Sequence, residues 1–334
     1  MMKAILCREY APYTQLRVEE VPRPALPARG VRIAVDYSSI SFATSLVVSG
    51  KYQRKPPLPF VPGTEVVGTV TEIAEGVTAC KPGDQVLAIL DWGGFAEEAC
   101  TTEHTVYKLP KGIDATHALH AGVSYGTAYG ALAWRGHIAR GETLLVLGAA
   151  GGVGLAAVEI GVAMGARVIG AASSAAKCAV AREHGAAETI DYSREDLRER
   201  AKALSGGRGV DVVFDPVGGD LFDAALRAIA MEGRMLTIGY ASGRIPSIAA
   251  NILLVKDLTV AGFNFGAYVG WSPVDERARF EPQTRAMYER IFAWVLDGTL
   301  RPVVSDLFPL ERYVEAQDLV LSRKSMGKVL LKLR

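Results

Sequence analysis

Gly148-Ala149-Ala150-Gly151-Gly152-Val153-Gly154 is the stretch on which the fold of this chain turns. It follows an apolar run at 143–147 that reads as a buried strand, and it opens a stretch at 152–164 that reads as a helix. A glycine-rich turn between strand and helix lets the backbone approach a ligand closely. The helix start beyond it offers free N–H groups and a partial positive charge. Together they form a cradle for a pyrophosphate, and hence for a dinucleotide. The glycines alone would fit a tight structural turn equally well; the flanking strand and helix favour the cradle.

Working outward, the alternation continues downstream. Residues 167–171 read as the next strand, and a helix runs from a Ser173/Ser174 cap to His184, with Gly185 as its stop. Residues 210–215 and 234–239 read as further strands, with 220–230 helical between them. Strands alternating with helices predict an α/β, doubly wound parallel sheet of Rossmann type. Upstream, about the first 120 residues are β-rich. Residues 31–37 alternate at period two, 65–73 are rich in Val and Thr, and the turn Pro82-Gly83-Asp84 precedes a strand from Gln85 to Leu90. The prolines of residues 56–63 predict an extended surface segment. After Phe265 the rhythm breaks. A helix from about Gln283 to Leu296 leads into short strands that end in Lys328-Val329-Leu330-Leu331. The expected division is a cofactor domain over 124–265, inserted into a domain made of 1–123 and 266–334.

The end of the second Rossmann strand bears on the cofactor. An NAD site usually carries Asp or Glu about 20 residues past the glycines, bonded to the ribose hydroxyls. Here that place holds Ala171-Ala172-Ser173-Ser174, and Lys177 lies in the first turn of the next helix. A carboxylate would repel a 2′-phosphate, whereas serine hydroxyls, helix N–H groups and a lysine would hold one. Charge therefore favours NADPH over NADH. The plainer alternative is that the serines only cap the helix and Lys177 is a solvated surface charge.

Composition narrows the classes. Of 334 residues, 49% are hydrophobic and 22% charged, and 37 Lys and Arg against 36 Asp and Glu leave a net charge of +1. That balance suits a soluble globular chain and supplies no field to gather nucleic acid or anionic membrane. The start carries no recognisable secretory signal, and Cys7, Cys80, Cys100 and Cys178 form neither a CxxC nor a compact disulfide framework. A reducing cytoplasm is the expected compartment.

The glycine turn, Lys177, Asp191-Tyr192-Ser193, Asp215-Pro216-Val217-Gly218-Gly219 and Gly63-Thr64-Glu65 together resemble the medium-chain dehydrogenase/reductase superfamily. Ser49-Gly50-Lys51-Tyr52-Gln53 and Lys55-Pro56-Pro57-Leu58-Pro59-Phe60 make the chain most similar to the zinc-free NADPH:quinone oxidoreductase branch, over essentially its whole length. The resemblance implies a GroES-like catalytic domain built from both chain ends, with an active-site cleft between it and the inserted Rossmann domain. It also implies a homodimer or homotetramer, often paired through sheet edges near Phe263-Asn264-Phe265. It implies 2′-phosphate contacts from Ser173, Lys177 and Tyr192, with a looser match at Arg323. Thr127 would sit near the nicotinamide at the start of a helix. Gly239, Tyr240 and Ala241 would cover the cofactor with backbone, and Asn264 and Phe265 would reach its carboxamide.

Where zinc-using relatives carry Cys, His and Cys, this chain has Ser38 or Ser39, Thr64 and Val123, a set that predicts no catalytic zinc. Glu65 is expected to be a buried, hydrogen-bonded acid of structural value, with a general acid as the alternative. Without a Lewis acid, simple alcohols are poor substrates and electron-poor acceptors are favoured, because one or two hydrogen-bond donors suffice for them. Tyr52 is the first candidate donor, with a rim or core aromatic as the alternative. Ser41 stands where the branch commonly has Asn on the nicotinamide side. The reading is a reductase of quinones or α,β-unsaturated carbonyls. Its rivals are an enoyl-thioester reductase of the same fold, using Arg54 and Lys55 in a basic track, and a weakly catalytic NADPH-binding or sensing protein.

Overall fold

The computed structural model describes residues 1–272 and 274–334. They fall into two compact units, one of Met1–Val123, Gly266–Asp297 and Pro302–Arg334, the other of Ser124–Phe265 and Gly298–Arg301.

The first unit begins with an antiparallel pair, Met2–Leu6 (β1) and Arg17–Val21 (β2). The Val-rich strand Gly30–Ile40 (β3) pairs with Glu65–Ile73 (β4) and, through its first half, with Glu98–Thr102 (β6). Gln85–Ile89 (β5) lies between β4 and Val106–Lys108 (β7). Phe42–Val48 (α1) follows β3, and Ala115–His120 (α2), capped by the Asp114 carboxylate, follows β7. The proline-rich segment forms no helix and is extended, but it is not wholly a surface segment. Pro56, Phe60 and Pro62 are buried, because Phe60 exchanges backbone hydrogen bonds with Cys7 and its ring packs into the core.

The second unit opens with Gly126–Tyr129 (α3). The sequence places Thr127 at a helix start. Thr127 is the second residue of α3, after a break at Gly122 (φ −58°, ψ −112°) that separates it from α2. Six parallel strands then form one sheet among the described residues: Thr143–Leu147 (β8), Arg167–Ala172 (β9), Glu188–Asp191 (β10), Val210–Asp215 (β11), Ile229–Thr237 (β12) and Thr259–Gly262 (β13). Their spatial order is β10-β9-β8-β11-β12-β13, so the winding reverses between β8 and β11. Helices Gly152–Ala163 (α4), Ala175–Glu183 (α5), Leu197–Leu204 (α6), Gly219–Ala228 (α7) and Ala250–Lys256 (α8) connect the strands. β12 starts five residues before the expected Arg234, because the chain leaves α7 directly into extended backbone at Ile229. A bulge follows, with Glu232 at positive φ and an irregular register opposite Val210.

The chain then returns to the first unit with Arg277–Leu296 (α9), Val304–Pro309 (β14), Tyr313–Leu321 (α10) and Lys328–Lys332 (β15). β15 pairs with the second half of β3, Val329 opposite Ile40 and Lys332 opposite Tyr37. α9 starts six residues before the expected Gln283 and runs through Pro282, which forfeits one intrahelical hydrogen bond. Side chains from this first part of the helix hold it: Glu281 binds both His104 and Arg285, and Arg285 donates to the carbonyls of Val106 and Glu103. Residues 298–301 cluster with the second unit. There the Arg301 N–H donates to buried Glu159, which also accepts from Tyr125 Oη at 2.5 Å and meets His184 Nδ1 at 2.6 Å. Among the described residues no helix is long and apolar enough to cross a membrane.

Candidate functional site

The glycine turn sits at the carboxyl end of β8, where the winding of the sheet reverses. In open α/β sheets ligands bind at this switch point. Gly148 has φ +63°, and a Cβ on Gly154 would run into the Gly148 carbonyl, so helix and turn pack closely only because both are glycine. α4 starts at Gly152 with no side-chain cap and no acid in its first turn. Ala150 is buried, Gly151 is exposed, and Gly152 and Val153 are half-buried, so the positive end of the helix is open to a ligand.

The next strand end carries the polar cluster. Ser174 caps α5 by accepting the Lys177 N–H at 3.4 Å, and Lys177 Nζ lies 3.4 Å from Ser173 Oγ. Asp191 at the end of β10 is in register with Ala172, and the Tyr192 N–H donates to the Ala172 carbonyl at 3.1 Å. Ser173, Ser174, Lys177 and Tyr192 are therefore brought together at adjacent strand ends.

On the other side of the switch point, Asp215 ends β11 fully buried. Its carboxylate accepts the N–H groups of Val217 (2.7 Å) and Gly218 (2.9 Å), yet burial outweighs these bonds and pushes its pKa up to about 6. The 216–219 loop is tied to the loop after β12: Ala241 N–H donates to the Pro216 carbonyl and Ser242 N–H to that of Val217. Gly239, Tyr240 and Ala241 thus stand half-buried beside the cradle strand ends. Thr127 is buried; Phe263 is buried against Trp134; Phe265 is buried; and Asn264 is exposed between them, just beyond β13.

The other expected residues lie in the first unit. Tyr52 is half-buried, with its ring against Trp271 (centroids 5.8 Å apart, planes at 81°). Burial raises its phenol pKa, and among the described residues its hydroxyl has no hydrogen-bond partner. Ser41 caps α1 in a reciprocal box with Thr44, and its carbonyl accepts from Gln317 Nε2. Arg323 is exposed, at φ +58°, in the turn after α10. Glu65, 1% exposed, is a hub: Oε1 accepts from Ser39 Oγ and from Lys328 Nζ at 2.6 Å, and Oε2 accepts the Val123 N–H at 2.7 Å. Lys328, itself 6% exposed, was not singled out by any local motif in the sequence.

Known proteins share this architecture. A model of the alcohol dehydrogenase GroES-like domain matches residues 27–111, and one of zinc-binding dehydrogenases matches 152–279. The quinone oxidoreductase-like protein 2 homolog of Nematostella vectensis is 39% identical, over 98% of this chain and 88% of its own. The chain belongs to the quinone oxidoreductase branch of the medium-chain dehydrogenase/reductase superfamily. Two solved members of the branch agree in fold. A quinone oxidoreductase from Pseudomonas syringae pv. Tomato DC3000 superposes with a TM-score of 0.91 at 28% identity, covering 99% of this chain and 100% of that one. The Escherichia coli quinone oxidoreductase, complexed with NADPH, gives 0.89 at 28% identity and 99% coverage of both chains.

One of the matching models is named for zinc, and the donors present here do not fit that metal. Of the residues expected at the zinc-using relatives' ligand places, Ser38 donates to the Glu65 carbonyl, Ser39 and the Val123 backbone donate to its carboxylate, and Thr64 and Val123 bring neither thiolate nor imidazole. Glu65 already has the Lys328 ammonium as its cation. No group of three or more His, Cys, Asp and Glu side chains suited to a metal occurs among the described residues.

Proposed function

We propose that the chain is a zinc-independent oxidoreductase that transfers hydride from NADPH to a quinone or an α,β-unsaturated carbonyl. The observation that carries this reading is the uncapped, open helix start at the sheet's switch point, beside the cluster of Ser173, Ser174, Lys177 and Tyr192, with no acid at the end of β9 and the Asp191 carboxylate engaged by Ser193. The NADPH bound by the Escherichia coli relative supports the same cofactor. In this reading the N–H groups of Ala150, Gly152 and Val153 hold the pyrophosphate, beside exposed Gly151, whose own N–H donates to the Gly148 carbonyl at 3.0 Å, and Ser173, Ser174, Lys177, Tyr192 and Arg323 hold the 2′-phosphate. Gly239, Tyr240 and Ala241 cover the cofactor, and Thr127, Phe263, Asn264 and Phe265 border its nicotinamide end. Bound NADPH supplies the hydride; the protein orients it and excludes water.

Tyr52 donates its free hydroxyl to the acceptor oxygen, where negative charge gathers as hydride arrives. A neutral phenol, which burial favours, is the form that can donate. Ser41 is assigned to the α1 cap and not to the cofactor. The arrangement of its two cations gives the thioester alternative less support. Arg54 is occupied by Asp91, by the Gly270 carbonyl and by two indoles, and Lys55 lies over the Tyr10 ring.

Steady-state NADPH oxidation with 1,4-benzoquinone, a 2-enal and an enoyl-CoA tests the proposal. Turnover is expected with the first two, and Tyr52→Phe should lower kcat on the order of 10²-fold. Tight NADPH binding without turnover on any acceptor would leave only a binding protein.

We also propose that two copies pair through β13. This edge strand has no outer neighbour among the described residues, and Ile245, Ile248, Leu254 and Val255 lie exposed on the segment leading to it. Sedimentation at micromolar concentration should give a dimer or a multiple of it; a monomer would overturn the pairing.

A further inference from the structure

Four segments of the first unit converge near Tyr52. The Arg54 guanidinium lies between two indoles, 5.4 Å from the Trp92 centroid and 5.2 Å from that of Trp271. Its Nη1 donates to the Gly270 carbonyl at 2.5 Å, and its Nη2 is 3.6 Å from Asp91 Oδ2. The other oxygen of Asp91 takes Arg277 Nη2 at 2.8 Å, so one carboxylate serves two guanidiniums. Gly270 has φ +108°, and a Cβ there would strike the Arg277 guanidinium. Trp271 is fixed twice more, by its indole N–H on the Leu90 carbonyl at 3.1 Å and by its backbone N–H on Gly266 at 2.7 Å. The side chain that all of this immobilises is the ring against which Tyr52 stands.

We propose that Arg54 is a positioning residue for the acceptor-binding phenol: by clamping Trp271 it fixes the Tyr52 ring, and through it the direction of the hydroxyl. The inference rests on the proposed role of Tyr52 as donor. Tyr52 has no hydrogen bond of its own to orient it among the described residues, so its direction depends on packing. A planar guanidinium matches two indole faces and a carboxylate at once, and a lysine cannot. Arg54 shares the Asp91 carboxylate with Arg277, and the part proposed for it is geometric.

The experiment is a double-variant cycle on the full chain, with NADPH and 1,4-benzoquinone. Arg54→Met should lower kcat about tenfold and leave the Kd for NADPH unchanged. Arg54→Lys should fall between it and the parent, and Trp271→Phe should match Arg54→Met. The deciding variant is Tyr52→Phe with Arg54→Met, expected to be no slower than Tyr52→Phe alone. If the two losses multiply, Arg54 acts independently of Tyr52 and the inference is overturned. If Tyr52→Phe is slow and Arg54→Met, Arg54→Lys and Trp271→Phe are all as fast as the parent, the clamp is overturned and the donor stands. If Tyr52→Phe is itself as fast as the parent, the donor reading fails and the clamp's role falls with it.

Discussion

Lys328→Met is expected to destabilise the chain by roughly 3–5 kcal/mol, because it strands a buried carboxylate without its cation. Glu65 Oε1 and Lys328 Nζ are 2.6 Å apart, with side chains only 2% and 7% exposed, so water can screen or replace little of the interaction. The pair need not be a net stabiliser compared with an apolar filling of the same space; the large effect comes from breaking it on one side. Two hydrogen bonds remain on Glu65 in the variant, from Ser39 and from the Val123 N–H, and neither brings a full positive charge. Equilibrium denaturation in urea measures the loss. The double variant Glu65→Gln with Lys328→Met should recover a substantial part of it, since no bare charge is left. A single-variant loss below about 1 kcal/mol would mean that the pair is far better hydrated than its burial indicates.

Lys177→Ala should weaken NADPH by roughly 1–3 kcal/mol while leaving NADH nearly unchanged. The substitution keeps α5 intact, because Ser174 caps the backbone N–H of residue 177 and not its side chain, and alanine is a good helix former. What disappears is the ammonium beside Ser173 at the end of β9, where a 2′-phosphate is expected. Fluorescence titration with each cofactor, repeated at higher salt, separates the cases. Added salt should narrow the gap between NADPH and NADH in the parent and do little in the variant. Equal losses for both cofactors would place Lys177 away from the phosphate.

Elements whose signals are local were legible in the sequence. The strand 143–147, the glycine turn and the strand 65–73 each carry an apolar run or a turn residue that few other structures tolerate, and the structure gives those boundaries. Residues 188–204 were harder. β10 is four residues long, and α6 buries only Leu197 and Ala201 in an otherwise charged run, so neither shows a clear period. The helix expected from about Gln283 starts six residues earlier, because the arginine and glutamate contacts of α9 outweigh the one bond lost at Pro282. The site divides in the same way. The proposed phosphate cradle is a contiguous motif. The Glu65–Lys328 pair joins positions 263 apart, and the Arg54 clamp joins residues near 54, 91 and 271, so no spacing rule could find them. Ser41 was visible as a departure from its branch, and Thr44 three residues on was the local cue that it caps a helix.

The sheet of the first unit imposes an order on biosynthesis. The strands of the second unit all lie between residues 143 and 262, so its parallel sheet can close as soon as that stretch has left the ribosome. The Tyr37–Ile40 half of β3, where Tyr37 and Ser38 pair with β4 on one edge, gets its partner on the other edge only when residues 329–332 have been made. Until then a long, apolar strand translated near the beginning must wait with one edge unsatisfied, and Glu65 must wait for its ammonium. The nascent chain thus carries an aggregation-prone edge through most of its own synthesis, and shielding that edge falls to chaperones or to transient contacts, not to the finished fold.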